Sequence, residues 1–200
     1  MENILLESIR LYEGQFANLR GHQARLQRAF TELFPGLPPL SLFEALSVPA
    51  QAEKGLWKCR IEYGITLRKI TYSPYQISPI NQVQLVEASS LDYRHKWVNR
   101  QRIDQCFALR QKADEILMIK NGFITDTSYG NIVFEEGNQW FTPAFPLLEG
   151  TQRALLLEAG QIKAEEIRPE DLKHFRRFKI INALRVWDES PVLDIRQISL

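Results

Sequence analysis

Lys96 is the residue whose surroundings in the sequence best suit covalent chemistry. It lies in the stretch DYRHKWVNRQ, directly before Trp97 and Val98. Bulky apolar neighbours can exclude water from an ammonium group, which lowers its pKa and yields a nucleophilic amine. Such an amine can form a Schiff base with a carbonyl compound. The ordinary alternative is a surface lysine whose charged end stays in water, so the interpretation depends on the other motifs.

Two later segments contain groups that could bind charged ligands. In FITDTSYGNIVF, Asp126 lies among apolar strand residues, where a carboxylate could pair with a cation inside the fold. In LLEGTQRALLL, Gly150 precedes Thr151 and Gln152 at a predicted helix start, and helix N-termini bind phosphate readily. Taken alone, each segment could equally be an ordinary turn or helix cap.

The hydrophobic pattern predicts the elements that must position these residues. Residues 5–19 are predicted to form two strands around a turn, and residues 58–72 alternate between apolar and polar as a strand does. Residues 19–34 and 99–114 have apolar side chains at helical spacing, and residues 149–160 are predicted to form a further helix. The apolar face predicted for residues 58–72 comprises Cys59, Ile61, Tyr63 and Ile65.

Strand groups that precede and follow isolated helices favour an α+β fold in two lobes. We expect a small amino-terminal lobe of residues 1–88. We expect residues 89–200 to form a larger carboxyl-terminal lobe that carries Lys96.

Composition narrows the possible partners. The net charge is +1, from 25 basic and 24 acidic residues, so neither nucleic acid nor an anionic membrane is indicated. A basic run begins at Arg94, but Asp104 and Asp114 interrupt it, and no pattern of stacking aromatic residues accompanies it. Two cysteines without disulfide or metal spacing, and no signal peptide or apolar run of membrane length, favour a cytoplasmic protein.

Taken in order, the motifs resemble those of the class IV aminotransferases, the pyridoxal-phosphate enzymes of fold type IV. HQARL (22–26) is similar to a family histidine-x-x-arginine-leucine motif, and KWVNR (96–100) to the motif of the cofactor-binding lysine. The segments ITDTSYGNIVF, TP at 142–143, LLEGTQRALLL and INAL (181–184) are similar to later family motifs. The resemblance extends over nearly the whole chain.

The resemblance implies pyridoxal 5'-phosphate as the cofactor and assigns roles to individual residues. Lys96 would bind the cofactor aldehyde and then act as a base at the substrate α-carbon, and Asp126 would contact the pyridine nitrogen. The residues that would bind the cofactor are Lys96, Asp126, Arg25, Asn131, Gly150, Thr151, Gln152, Asn182 and Ala183. The implied fold is that of D-amino-acid aminotransferase, with mixed and antiparallel sheets flanked by helices, an active site between the lobes, and a homodimer.

Two departures from the family pattern affect the expected activity. The family usually has glutamate where Asp126 stands. The segment LLESIRLYEG is similar to the family's second strand, and the glycine-rich segment that precedes this strand in relatives is expected to be missing here. The motifs are closest to 4-amino-4-deoxychorismate lyase, which releases pyruvate and yields 4-aminobenzoate. The alternatives are a branched-chain or D-amino-acid aminotransferase and a non-catalytic pyridoxal-phosphate-binding protein.

The expected substrate is a small amino compound. Arg60 and Arg100 are candidates to bind its carboxylate. The three histidines are too scattered to indicate a metal site, so none is expected.

Overall fold

A computed structural model describes residues 4–199 of the chain. These residues form two compact units. The first comprises residues 4–77 with His95–Asn99, and the second comprises Ser78–Arg94 with residues 100–199. Within the described residues, no helix is long and apolar enough to cross a membrane.

The first unit contains a four-stranded antiparallel sheet in the order β2-β1-β3-β4. Its elements are β1 (Leu5–Tyr12), β2 (Gln15–Phe16), α1 (Leu19–Leu33), α2 (Leu42–Ala45), a 3-10 helix (Ala50–Ala52), β3 (Leu56–Tyr63) and β4 (Leu67–Pro74). The turn predicted within residues 5–19 is confirmed at Glu13 and Gly14, which both have positive φ angles. The core between the sheet and α1 includes the buried side chains of Ile9, Phe30 and Ile61.

The segment predicted as one strand over residues 58–72 is a hairpin instead. Strands β3 and β4 pair on either side of Gly64, whose N–H donates to the Thr66 carbonyl at 3.0 Å. Ile65 therefore lies in the turn and is 57% exposed, although the alternation placed it on the core face with Cys59 and Ile61. The alternation of apolar and polar residues did not indicate the turn at Gly64, because the apolar pattern continues to Ile65 within the turn.

Lys96 belongs to the first unit, whereas the sequence placed it in the second. The N–H of Leu6 on β1 donates to the Lys96 carbonyl at 2.8 Å, and the N–H of Val98 donates to the Ile4 carbonyl at 3.0 Å. Trp97 also packs against the core of this unit. These backbone bonds explain the difference, because they join residues that lie far apart in the chain.

The second unit contains a mixed sheet of nine strands. Seven lie in the order β10-β9-β8-β7-β6-β5-β13, and β11 pairs with β8 and β12. Its elements are β5 (Val83–Glu87), α3 (Gln101–Ala108), β6 (Glu115–Lys120), β7 (Phe123–Thr127), β8 (Asn131–Glu136), β9 (Gln139–Pro143), α4 (Thr151–Glu158), β10 (Lys163–Glu165), a 3-10 helix (Pro169–His174), β11 (Arg177–Ile181), β12 (Leu193–Asp194), a 3-10 helix (Ile195–Gln197) and β13 (Ile198–Ser199). Mixed and antiparallel sheets with few helices confirm the α+β class.

The turn between β7 and β8 is fixed against the end of β11. The Thr127 N–H donates to the Gly130 carbonyl at 2.9 Å. A Cβ atom at Gly130 would lie 2.8 Å from the Ile181 carbonyl oxygen and 2.9 Å from Cγ2 of Ile180. The first of these contacts is with backbone, so the turn can pack this closely only around a residue without a side chain.

Replacing Gly130 with alanine should lower the free energy of unfolding by about 2–3 kcal/mol, because the added methyl group overpacks a rigid contact. Urea denaturation measures the effect. Gly137→Ala is the matched control. A Cβ at Gly137 would meet nothing within 4 Å, so only its φ of 58° should contribute, at about 1 kcal/mol. Equal losses in the two variants would contradict the proposed close contact at Gly130.

Candidate active site

Asp126 is a buried carboxylate at the junction of β7 and β8, directly paired with Asn131 across the two strands. Nδ2 of Asn131 donates to Oδ1 of Asp126 at 2.8 Å, and the Leu148 N–H donates to Oδ2 at 2.9 Å. Burial raises the pKa of Asp126 to about 6, although these hydrogen bonds and the charge of Arg153 act in the opposite direction. The carboxyl group is therefore ionised at neutral pH but remains ready to share a proton with a buried donor.

The same network fixes the start of helix α4. Nδ2 of Asn131 also donates to the Leu148 carbonyl at 3.0 Å. A Cβ atom at Gly150 would lie only 2.0 Å from Oδ1 of Asn131, so the amide side chain occupies the space that any larger residue would need. Gly150 is the N-cap of α4 and provides no side-chain cap.

Helix α4 begins with two buried polar residues, Thr151 and Gln152. The first hydrogen bond within the helix runs from the Ala154 N–H to the Gly150 carbonyl at 3.0 Å. The dipole of α4 favours an anion beside the amide groups of this first turn. The structure thus joins three predicted site residues of the second unit, Asp126, Asn131 and Gly150, through direct contacts. The predicted residues Thr151 and Gln152 follow Gly150 directly in the first turn of α4.

Asn182 organises the turn that follows β11. Its Oδ1 accepts from the N–H groups of Leu184 and Arg185, both at 2.8 Å, and its Nδ2 donates to the Tyr129 carbonyl at 3.3 Å. This contact connects Asn182 to the turn that separates Asp126 from Asn131. Ala183 is half-buried in the same turn. Direct cofactor contacts of Asn182 and Ala183 stay predictions.

Arg25 lies on α1 and pairs with Glu7 on β1. Nε and Nη2 of Arg25 approach the two carboxylate oxygens of Glu7 at 2.9 and 2.5 Å. Nδ1 of His22 approaches the same carboxylate at 2.5 Å. Burial would raise the pKa of Glu7, but the Arg25 charge and the His22 contact outweigh it and lower that pKa to about 2. Glu7 is therefore a carboxylate at all ordinary pH values.

Lys96 is half-buried in the first unit. Burial lowers the pKa of His22, and the charges of Arg25 and Lys96 lower it further, against the opposing effect of Glu7. The lowered pKa favours a neutral ring at His22. The Lys96 carbonyl accepts at 2.8 Å from the N–H of Leu6, the neighbour of Glu7 on β1, so Lys96 lies beside the strand that carries the acidic partner of Arg25.

Glu7 is a site residue that sequence reasoning missed, although a signal was present. In LLESIRLY, Glu7 occupies the same strand face as Leu5 and Ile9, which are both fully buried. A carboxylate at such a position requires a buried partner. Arg25 was identified from its motif, but its acidic partner was not.

Arg60 and Arg100 both have partners within the protein. Nε of Arg60 donates to Oε1 of Glu62 at 2.9 Å. Nη2 of Arg100 donates to the Ser128 carbonyl at 2.7 Å, in the turn that follows Asp126. These contacts give both arginines positions within their own units, and a role toward a substrate carboxylate stays a prediction.

Glu115 is a further buried carboxylate, and no motif in the sequence indicated it. It accepts from the N–H and the hydroxyl of Ser128, both at 3.0 Å. Arg100 donates to the carbonyl of Ser128, so the N–H, the hydroxyl and the carbonyl of Ser128 all have hydrogen-bond partners. The turn that follows Asp126 is therefore anchored from β6 as well as from the start of α3.

The sequence profile of the family described as Amino-transferase class IV matches residues 5–189 of the chain. This chain belongs to the class IV aminotransferase family. Enzymes of this family are aminotransferases and lyases that depend on pyridoxal phosphate. The predicted family and its fold are therefore confirmed.

Similar proteins cover nearly the full length of this family member. An "Uncharacterized protein" of Haemophilus influenzae is 37% identical over 182 residues, which are 90% of this chain and 97% of that protein. The crystal structure of a "putative 4-amino-4-deoxychorismate lyase" from Haemophilus somnus has a TM-score of 0.86 and 34% identity, and the match covers 94% of this chain and 99% of that one. The PLP-bound form of a "hypothetical aminotransferase" from Mycobacterium tuberculosis shares the fold, with a TM-score of 0.77 and 14% identity over 98% of this chain and 81% of that one.

Replacing Asp126 with asparagine should change how stability depends on pH. Because the folded chain raises the pKa of this group from 3.8 to about 6, the wild type loses stability as pH rises through that window. The loss is about 3 kcal/mol and is complete above the folded pKa. Relative to the wild type, Asp126→Asn should therefore gain about this amount between pH values of about 3.5 and 7 in urea denaturation.

Asp92→Asn provides a control of opposite sign. Hydrogen bonds from Arg94 lower the pKa of Asp92, so this carboxylate stabilises the fold at neutral pH and loses that effect in acid. Asp92→Asn should therefore lose stability relative to the wild type as pH rises. A pH profile for Asp126→Asn that is parallel to the wild-type profile would contradict the raised pKa of Asp126.

Proposed function

We propose that this chain is a pyridoxal-phosphate enzyme with 4-amino-4-deoxychorismate lyase activity, which releases pyruvate and leaves 4-aminobenzoate. The observation that carries the cofactor assignment is the single network that links the buried Asp126 to the first turn of α4. One end of this network offers a carboxylate, and the other end offers amide groups suited to an anion. These are the two chemical groups that a phosphorylated pyridine requires.

Asp126 suits the pyridine nitrogen because it is buried and rigidly held. Its two oxygens accept from Asn131 and from the Leu148 amide, so the side chain cannot turn away. A protonated ring nitrogen would stabilise the ionised carboxylate and lower its pKa from about 6. Aspartate is one methylene shorter than the glutamate usual in the family. The two hydrogen bonds hold this shorter side chain in one orientation.

Thr151 and Gln152 suit the phosphate because both lie in the first turn of α4, after a residue without a side chain.

Family membership supports the roles of Lys96 as the lysine that attaches the cofactor and of Arg25 as a further phosphate ligand. When bound, pyridoxal phosphate supplies an aldehyde and an electron-accepting ring. The amine of Lys96 would then remove the proton from the α-carbon of the substrate.

Sequence identity supports the lyase over an aminotransferase. The "putative 4-amino-4-deoxychorismate lyase" from Haemophilus somnus is 34% identical over 94% of this chain, whereas a "Putative amino-acid aminotransferase" from Mesorhizobium loti, which covers the whole chain, is 23% identical. The lyase reaction requires no second substrate, whereas an aminotransferase passes the amino group to a 2-oxo acid. This difference makes the two activities separable by experiment.

Replacing Lys96 with alanine should abolish covalent attachment of the cofactor. Purified protein is incubated with pyridoxal phosphate and reduced with borohydride, and the modified peptide is identified by mass spectrometry. The wild type should carry the label on Lys96, and Lys96→Ala should carry none. Lys112→Ala, which alters an exposed lysine, is the control and should be labelled like the wild type. Equal labelling of Lys96→Ala would refute the assignment.

Wild-type protein loaded with pyridoxal phosphate should convert 4-amino-4-deoxychorismate to equal amounts of pyruvate and 4-aminobenzoate without any 2-oxo acid. Asp126→Asn should retain the cofactor but lose turnover by about 100-fold or more, because the ring nitrogen is no longer held in its protonated form. Chromatography of both products measures the rates. Turnover that requires an added 2-oxo acid would identify an aminotransferase, and cofactor binding without either reaction would identify a non-catalytic binding protein.

A further inference from the structure

Glu7 is a charged side chain within the core of the first unit. Its side chain is 1% exposed, whereas that of its partner Arg25 is 11% exposed. Leu5 and Ile9, on the same face of β1, are fully buried. Burying a carboxylate is costly, and a buried ion pair commonly stabilises a fold no better than apolar residues of the same volume. The ion pair therefore calls for an explanation other than stability.

The contact between Glu7 and Arg25 is made along one side of the guanidinium. Nε donates to Oε1 of Glu7, and Nη2 donates to Oε2. This two-point contact fixes the plane of the guanidinium as well as its position. The end formed by Nη1 and Nη2 points away from that side, and it is the pair of donors that matches a phosphate.

His22 reinforces the same orientation. Its Nδ1 approaches Oε2 of Glu7 at 2.5 Å, and its side chain is fully buried. Burial lowers the pKa of His22, so the ring is neutral and donates one hydrogen to the carboxylate. Two side chains of α1, His22 and Arg25, therefore contact the carboxylate of Glu7. The contact with His22 restrains the carboxylate independently of Arg25.

We propose that Glu7 is a positioning residue that holds Arg25 by its Nε–Nη2 side and so aims the Nη1–Nη2 end at the cofactor phosphate. This inference rests on the proposed function. Two observations connect the cluster to a ligand: Arg25 is the more exposed partner of the pair, and the Lys96 carbonyl accepts at 2.8 Å from the N–H of Leu6, the neighbour of Glu7 on β1. The cofactor attached to Lys96 would therefore lie near the cluster.

The change in phosphate affinity on removal of Glu7 distinguishes a positioning role of this residue from a purely electrostatic one. Glu7 neutralises Arg25, so removing the carboxylate would leave more positive charge near the phosphate. If charge alone mattered, the loss of Glu7 would tighten phosphate binding. If Glu7 aims the guanidinium, its loss would weaken phosphate binding, because a mobile arginine no longer meets the phosphate at two points.

The experiment compares pyridoxal phosphate with pyridoxal, which has the same aldehyde and ring but no phosphate. Dissociation constants are measured for both by absorbance titration of the wild type, Glu7→Gln, Arg25→Gln and the double variant. The dissociation constant of pyridoxal divided by that of pyridoxal phosphate isolates the phosphate contribution. Glu7→Gln should reduce this ratio by about 10- to 100-fold, the loss expected for a charge-assisted contact. In the Arg25→Gln background, Glu7→Gln should change the ratio by less than about twofold.

Glu135→Gln is the matched control, because Glu135 is buried and makes the same two-point contact with Arg177 in the second unit. It should leave the ratio unchanged. Should Glu7→Gln fail to fold by circular dichroism, Glu7→Asp replaces it, because it keeps the charge but is one methylene too short for the two-point contact. Glu7→Asp should also lower the ratio.

An unchanged ratio, tighter binding of pyridoxal phosphate, or losses that add in the double variant would each overturn the positioning role. These outcomes leave the proposed function intact if the wild type binds both aldehydes. Wild-type protein that binds neither aldehyde would instead refute the proposed function, and the role of Glu7 with it.

Discussion

The burial of Asp126 is the constraint on which the second unit of this protein depends. An isolated carboxylate in the interior is unfavourable, and two strands and a loop converge to offset that cost with directed hydrogen bonds. Asn131 and the Leu148 amide take one oxygen each. Because Asn131 also fills the space beside Gly150, the position of the acid and the start of α4 are fixed together.

Two buried acids in this chain show how partners decide ionisation. Burial is the largest influence on both Asp126 and Glu7, and in both it favours the neutral form. At Asp126 burial outweighs the hydrogen bonds from Asn131 and Leu148, so the pKa of this group is raised. At Glu7 the charge of Arg25 and the contact with His22 outweigh burial, so the pKa of that group is lowered. The first acid can therefore respond to a bound cation, and the second acts as a fixed charge.

The local sequence pattern was sufficient to predict much of the fold and to identify the residues of the motifs. The hairpin at Glu13 and Gly14 and helix α4 follow from turn residues and apolar spacing that lie within a few positions of one another. The placement of Lys96 could not be predicted in this way, because it depends on backbone bonds to Leu6 and Ile4 from a distant part of the chain. Ile65 was misplaced because its turn lacks an interruption in the apolar pattern.

In the proposed function, Asp126 would hold the ring nitrogen of bound pyridoxal phosphate in its protonated form. The most direct measurement is the nitrogen-15 NMR chemical shift of the cofactor, labelled at its ring nitrogen and bound to the protein at neutral pH. The wild type should show the shift of a protonated pyridine, and Asp126→Asn should show that of an unprotonated pyridine. An unprotonated ring in the wild type, or the same shift in both proteins, would contradict the claim.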